Sequence, residues 1–224
     1  MVTQAGAQLG VRAVARSPHP RARPSNLTRS VMLVSAPTKV QSTRVVARGA
    51  SGSICGTRTI IGERLASIPG RLPGCGVSDP VRVASVDGVR LSQAAIMDCT
   101  TAKALNSWVK KGVKPAILRL GGGVASLSVI GHYSCRTRNN IPGEKISEHG
   151  KGHAIDISGV VLKNGTKLTV LKGWQDRTQG KLLRQMHKVA CGPFGTVLGP
   201  GANKYHQDHF HLDTARQRGG SYCR

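Results

Sequence analysis

From about residue 75 onward, apolar and polar positions fall into short periodic stretches. Pro80-Val-Arg-Val-Ala-Ser-Val86 alternates as a strand does, and Asp87-Gly88 follows as a turn signal. Ser92 is placed to cap a helix. Ala95, Cys99, Ala102, Leu105 and Trp108 recur at helical spacing and share one face, and Gly112 and Pro115 are expected to end that helix. Gly121-Gly-Gly123 reads as a loop, and Val124 to Ser134 alternates again. Asn164-Gly165 predicts a hairpin between strands at about Ala154–Leu162 and Lys167–Leu171. A second helix is predicted from about Thr178 to Cys191. It turns Leu182, Met186 and Val189 inward and is stopped by Gly192-Pro193. The last clear strand is His209 to Asp213. Strands, hairpins and helices mixed in this way predict an α+β fold with an antiparallel sheet.

The first 54 residues lack this periodicity. They are rich in Ser, Thr, Arg, Ala and Pro and contain no acid. The expected division is therefore a basic N-terminal tail over 1–54 and a folded domain over 55–224. The tail has no apolar stretch of the secretory kind. Its composition resembles an organelle transit peptide, and a misplaced start codon would give the same pattern. No apolar run in the chain approaches the ~20 residues of a membrane span.

Charge narrows the partners. The 224 residues carry a formal net charge of +23 at pH 7. Such a surface attracts polyanions: nucleic acid, anionic membrane or an anionic wall polymer. Aromatic residues make up only 3%, which argues against single-strand nucleic-acid binding, because that mode needs stacking platforms. A nucleic-acid reading would rest on charge alone, so none is expected. The six cysteines, Cys55, Cys75, Cys99, Cys135, Cys191 and Cys223, form no Cys-x-x-Cys pair. An even, dispersed set suits up to three disulfides in an oxidising compartment, with the pairing left open, and small buried thiols are the alternative.

The chemistry-bearing residues concentrate in two segments, SEHGKGHAID (147–156) and HQDHFHLD (206–213). The first presents His149 from a glycine-containing turn and Asp156 from an adjoining strand, a set suited to a transition-metal ion. In the second, His209 and His211 are two apart on a strand and share a face, while Phe210 and Leu212 take the other. His206 and Asp208 lead into that strand. Together the segments offer three metal ligands with a carboxylate and imidazoles to spare. Three protein ligands leave a position for water, the mark of a catalytic zinc site. His153 is expected to point away from this cluster. His132, His187 and His19 have no partners in sequence, and Trp108 and Trp174 are expected to serve packing. Cys135 with His132 is rejected as a nucleophile pair, since the cysteine count favours disulfides.

The pair SxHxxGxAxD and HxDHxH resembles zinc peptidases of the D-alanyl-D-alanine carboxypeptidase and lysostaphin-like group, which cut peptidoglycan. More closely, Cys135-Arg-Thr-Arg-Asn, SEHGKGHAIDI, Phe194-Gly-Thr-Val-Leu-Gly-Pro200, HFHLD and Tyr222-Cys-Arg224 look like the bacterial extensin-like C-terminal domain family, over about residues 75–224. The resemblance implies a small, mostly antiparallel sheet with flanking helices. It implies Zn2+ held by His149, Asp156 and His211, and Asp208 as general base. His209 and His206 would orient substrate and support the oxyanion. Arg136, with Arg138 close by, would bind a substrate carboxylate. It also implies peptidoglycan as partner, a periplasmic or envelope location, and hydrolysis of peptide bonds by carboxypeptidase or endopeptidase action. A non-catalytic wall-binding module on the same fold is the alternative.

Overall fold

The structure is a computed structural model that describes residues 52–216 and 219–224. The tail expected over 1–54 lies outside the described residues up to position 51. Gly52–Ile54 already form the first strand.

The strands are β1 (Gly52–Ile54), β2 (Thr57–Arg64), β3 (Ile68–Pro69), β4 (Gly76–Val77), β5 (Val81–Val86), β6 (Val89–Met97), β7 (Val124–Gly131), β8 (Ala154–Leu162), β9 (Lys167–Thr169), β10 (Thr196–Leu198), β11 (Phe210–Asp213) and β12 (Tyr222–Cys223). Ten of them form one sheet in the order β1-β2-β5-β6-β7-β8-β11-β10-β12, with β9 also on β8. Its pairs are antiparallel except β6–β7 and β10–β12. The fold is thus mixed α and β around a large, mostly antiparallel sheet, where a small one was expected. The added breadth comes from strands the pattern had not predicted: β1 and β2, β6 where a helix was expected, and β10 and β12.

The Asp87-Gly88 turn closes the β5–β6 hairpin. Both residues have positive φ, 47° and 75°, as a two-residue turn matching strand twist requires. The helix expected from Ser92 begins later. β6 runs on to Met97 because Ala95 and Met97 pair with Val83 and Val81. Ser92 is occupied in the sheet, where its Oγ accepts from the Val129 N–H at 2.9 Å. The helix is α1 (Cys99–Trp108), and its cap is Asp98, whose carboxylate accepts from the Thr101 N–H at 2.7 Å. Nor do Gly112 and Pro115 end it. A π-helical turn, Val109–Val113, carries the chain into α2 (Lys114–Ile117), which accepts Pro115 in its first turn.

The short α3 (Val170–Gly173) and α4 (Gln179–Ala190) complete the helices. In α4 the fully buried residues are Leu183, Met186 and Ala190, while Leu182 and Val189 are only half-buried, a small rotation from the predicted face. The Trp108 Nε1–H donates to the Met186 carbonyl at 2.8 Å and ties α1 to α4. Both helices pack against Leu127, Ile155, Ile157, Phe210 and Leu212 in a single core.

Three disulfides join Cys55–Cys99, Cys75–Cys135 and Cys191–Cys223, which leaves no free thiol. No helix among the described residues is long and apolar enough to cross a membrane.

Candidate functional site

Strand periodicity decides which side chains leave the core. On β8, Ile155 and Ile157 face the helices, so Asp156 faces the opposite side. On β11, Phe210 and Leu212 are buried in the core, so His211 and Asp213 share the face of Asp156. β8 and β11 pair with Asp156 directly opposite His211. His149 arrives from a tight helical turn over Glu148–Lys151, which closes on Gly152 in the left-handed region (φ 73°).

The three groups converge. His149 Nε2 lies 3.1 Å from Asp156 Oδ1 and 3.1 Å from His211 Nδ1, and His211 Nδ1 lies 3.0 Å from Asp156 Oδ1. All three candidate ligand atoms fall within 4.8 Å of one another. The outward ring nitrogens are engaged elsewhere. His149 Nδ1–H donates to the His132 carbonyl at 2.9 Å, and His211 Nε2–H donates to Asp213 Oδ2 at 3.0 Å. These partners select the tautomers that turn a lone pair inward from each imidazole. Two lone pairs and a carboxylate oxygen facing one another could hold a cation, and this nitrogen and oxygen set is of the kind zinc takes.

The protonation energetics agree. Burial would raise Asp156, but hydrogen bonds from His149 and His211 outweigh it and hold the carboxyl far below the usual range. Burial would lower His211, but Asp156 and Asp213 outweigh it and push the imidazole up to about 9. Without a metal, a proton fills the role of the cation.

Room for the Asp156 carboxylate comes from Gly131, its register partner on β7. A Cβ at Gly131 would collide with Asp156 Oδ2, so any side chain at this position displaces the carboxylate or the strand.

The remaining histidines ring the site. His209 Nδ1–H donates to Asp208 Oδ1 at 2.8 Å, and its Nε2 lies 3.7 Å from Asp156 Oδ1. Asp208 itself is 55% exposed and reaches the site through His209. His206 is buried, with its ring 5.2 Å from that of His209 and 5.7 Å from that of His211. Its Nδ1–H donates to Asn203 Oδ1 at 2.8 Å, so its Nε2 is an acceptor. Burial, with the charges of His211 and His209, lowers it to about 4. His153 turns away, paired with Glu148 at 3.0 Å. His187 packs between Trp174 and Phe210, Trp108 is core, and His19 lies outside the described residues. The disulfide at Cys135 leaves no thiol there for nucleophilic chemistry.

The triad lies on the wall of a cavity of about 780 Å³ that extends over β10, β11 and the C-terminal segment. Arg136 and Arg138 line it and make no ion pair among the described residues. Arg136 reaches only the neighbouring Thr137 carbonyl, at 3.4 Å. A second cavity of about 330 Å³ shares Arg136, His149 and Asp156 as walls. Sequence reasoning missed Asp213, Gly131 and the His132 carbonyl. Of these only Asp213 left a signal: two residues after His211 on a strand, it must share the face of that histidine.

Residues 56–224 match the family described as Extensin-like protein C-terminus. Neither a curated protein nor a solved structure matches the chain.

Proposed function

The chain belongs to the extensin-like C-terminal family, and within it we propose a zinc-dependent hydrolase that cleaves peptide bonds in peptidoglycan. The convergence of His149, Asp156 and His211 within 4.8 Å carries this reading. The two sequence motifs, which resemble those of zinc D-alanyl-D-alanine carboxypeptidases and lysostaphin-like peptidases, support it. His149 Nε2, the Asp156 carboxylate and His211 Nδ1 would hold the metal. Zinc at such a site polarises a carbonyl and lowers the pKa of water to about 7.

The chain's own residues then have distinct tasks. His209, oriented by Asp208, accepts a proton through Nε2. His206, neutral at pH 7, offers an acceptor to a substrate N–H. Arg136 and Arg138 receive an anionic group of the substrate, such as a carboxylate. Three disulfides suit an oxidising compartment, and with the substrate they favour the periplasm or cell envelope.

The basic balance of the chain, a net +23 over 224 residues, favours a second reading, a wall-binding module without catalysis. It predicts salt-sensitive binding to sacculi and no product. Zinc content by atomic emission, on the full chain beside His211→Ala, is the first test, followed by sacculus digestion with and without chelator. One zinc per chain, lost in the variant, with chelator-sensitive digestion supports the hydrolase. A folded chain that takes up no zinc overturns it.

A further inference from the structure

The smaller cavity is a feature that the assignment of ligands and base leaves unused. It is walled by Gln93 on β6, by Ile130 and Gly131 at the end of β7, and by residues 132–134. These elements lie on one side of β8. Those of the larger cavity, β11, β10 and β12, lie on the other, because the sheet runs β6-β7-β8-β11-β10-β12. Asp156, on the central strand, belongs to both walls, as do His149 and Arg136. The two hollows therefore adjoin at His149 and Asp156, one on each side of β8. Each hollow falls within the roughly 300–1,000 Å³ of ordinary ligand pockets, so a chain bound over the triad has space on both sides.

We infer that the smaller cavity is a second substrate subsite, which receives the peptide segment beyond the scissile bond. The chain then acts on bonds within a cross-linked peptide and does not trim a free terminus. This rests on the hydrolase reading and names its substrate class. The lining fits a peptide. Gln93 Nε2 donates to the Val129 carbonyl at 3.0 Å, which leaves its side-chain oxygen for a substrate N–H. Ile130, 51% exposed, offers an apolar wall to a small side chain. Gly131 adds no bulk, and Arg136 stands at the junction to take a carboxylate.

The test uses the full chain and two probes, a cross-linked muropeptide dimer and the monomer its cleavage would release. Binding is measured by calorimetry on the metal-free protein, for the native chain and for Ile130→Trp, an exposed change that fills the smaller cavity. An unchanged melting temperature confirms that the variant folds. The native chain is expected to bind the dimer about tenfold or more tighter than the monomer, and Ile130→Trp to erase the difference without weakening monomer binding. Equal affinity for the two probes, or a variant that weakens both alike, overturns the subsite. With zinc restored, conversion of dimer to monomer supports action on internal bonds, and release of terminal alanine alone overturns it. Two-sided binding with no turnover would count against the hydrolase reading and for the subsite, so the two failures are distinguishable.

Discussion

Asp156 and His211 stand directly opposite one another on antiparallel strands, with His211 Nδ1 3.0 Å from Asp156 Oδ1. The sheet register therefore builds two-thirds of the triad, and only His149 is brought by a turn. A slip of one residue between β8 and β11 would turn His211 toward the core. Phe210 and Leu212, both buried, lock the strand against that slip.

Asp213 holds His211 in the tautomer that faces the site. Asp213→Asn is expected to keep the fold and weaken zinc affinity by about 10- to 100-fold. His211→Ala should abolish specific uptake. Competition with a chromogenic chelator reads both. Equal zinc affinity in Asp213→Asn and the native chain would show that the carboxylate serves folding only.

Gly131→Ala places a methyl group against the Asp156 carboxylate. The carboxylate must move or β7 must shift, at a cost of about 1–3 kcal/mol in stability. The expected result is a lower melting temperature together with weaker zinc binding. A variant that melts lower yet binds zinc with native affinity would show that the strain is relieved away from Asp156.

Asp208 lies half outside the site and touches it through His209. Asp208→Asn is therefore expected to leave zinc content unchanged while kcat on sacculi falls by about 10²- to 10⁴-fold. Steady-state kinetics beside metal analysis separates the two effects. Activity within a factor of two of native would remove Asp208 from the proton path.

The convergence of His149, Asp156 and His211 and much of the fold around it were legible in the sequence, because the motifs lie where local rules are strong. His209-Phe-His-Leu-Asp213 alternates cleanly, and the Asn164-Gly165 hairpin fell at β8 and β9. Misread places were those where a distant partner decided the outcome. The 92–97 segment has no decisive period, and only pairing of Ala95 and Met97 with β5 makes it a strand. A glycine and a proline ordinarily stop a helix, but the π-helical turn takes up Gly112 and α2 accepts Pro115 in its first turn. Gly131 gave no signal, since its role depends on Asp156, which lies 25 residues further along the chain.

Beside the triad, Glu148 and His153 form a pair with a defined pH window. The hydrogen bond from His153, opposed by burial and aided by Lys151, lowers Glu148 from 4.5 to about 2. A carboxyl depressed by folding stabilises fully above its unfolded pKa and loses that contribution as pH falls toward the folded one. The loss therefore runs from about pH 4.5 down to about 2. His153 is raised above 6.5 by the same hydrogen bond, against burial. Its contribution is present below 6.5 and is lost as pH rises through the folded value. Both operate together between about pH 5 and 6.5. The melting-temperature gap between the native chain and Glu148→Gln should be widest there and narrow on either side. A gap that does not vary with pH would mean that Glu148 contributes through packing alone.

The Cys75–Cys135 disulfide closes the longest of the three loops, with a sequence separation of 60. Cys135 also precedes Arg136, the cation at the junction of the two cavities. Chain entropy alone assigns this link about 4 kcal/mol. Replacing both cysteines by alanine is expected to lower stability by an amount of that order, and to raise KM more than it lowers kcat, because the turn that aims Arg136 is released. The ligands sit on β8, β11 and the 148–151 turn, so one zinc per chain should remain. Denaturant unfolding, steady-state kinetics and metal analysis on the double variant check the three parts. A variant that loses zinc but keeps its stability would mean that the disulfide positions the ligands and contributes little to the fold.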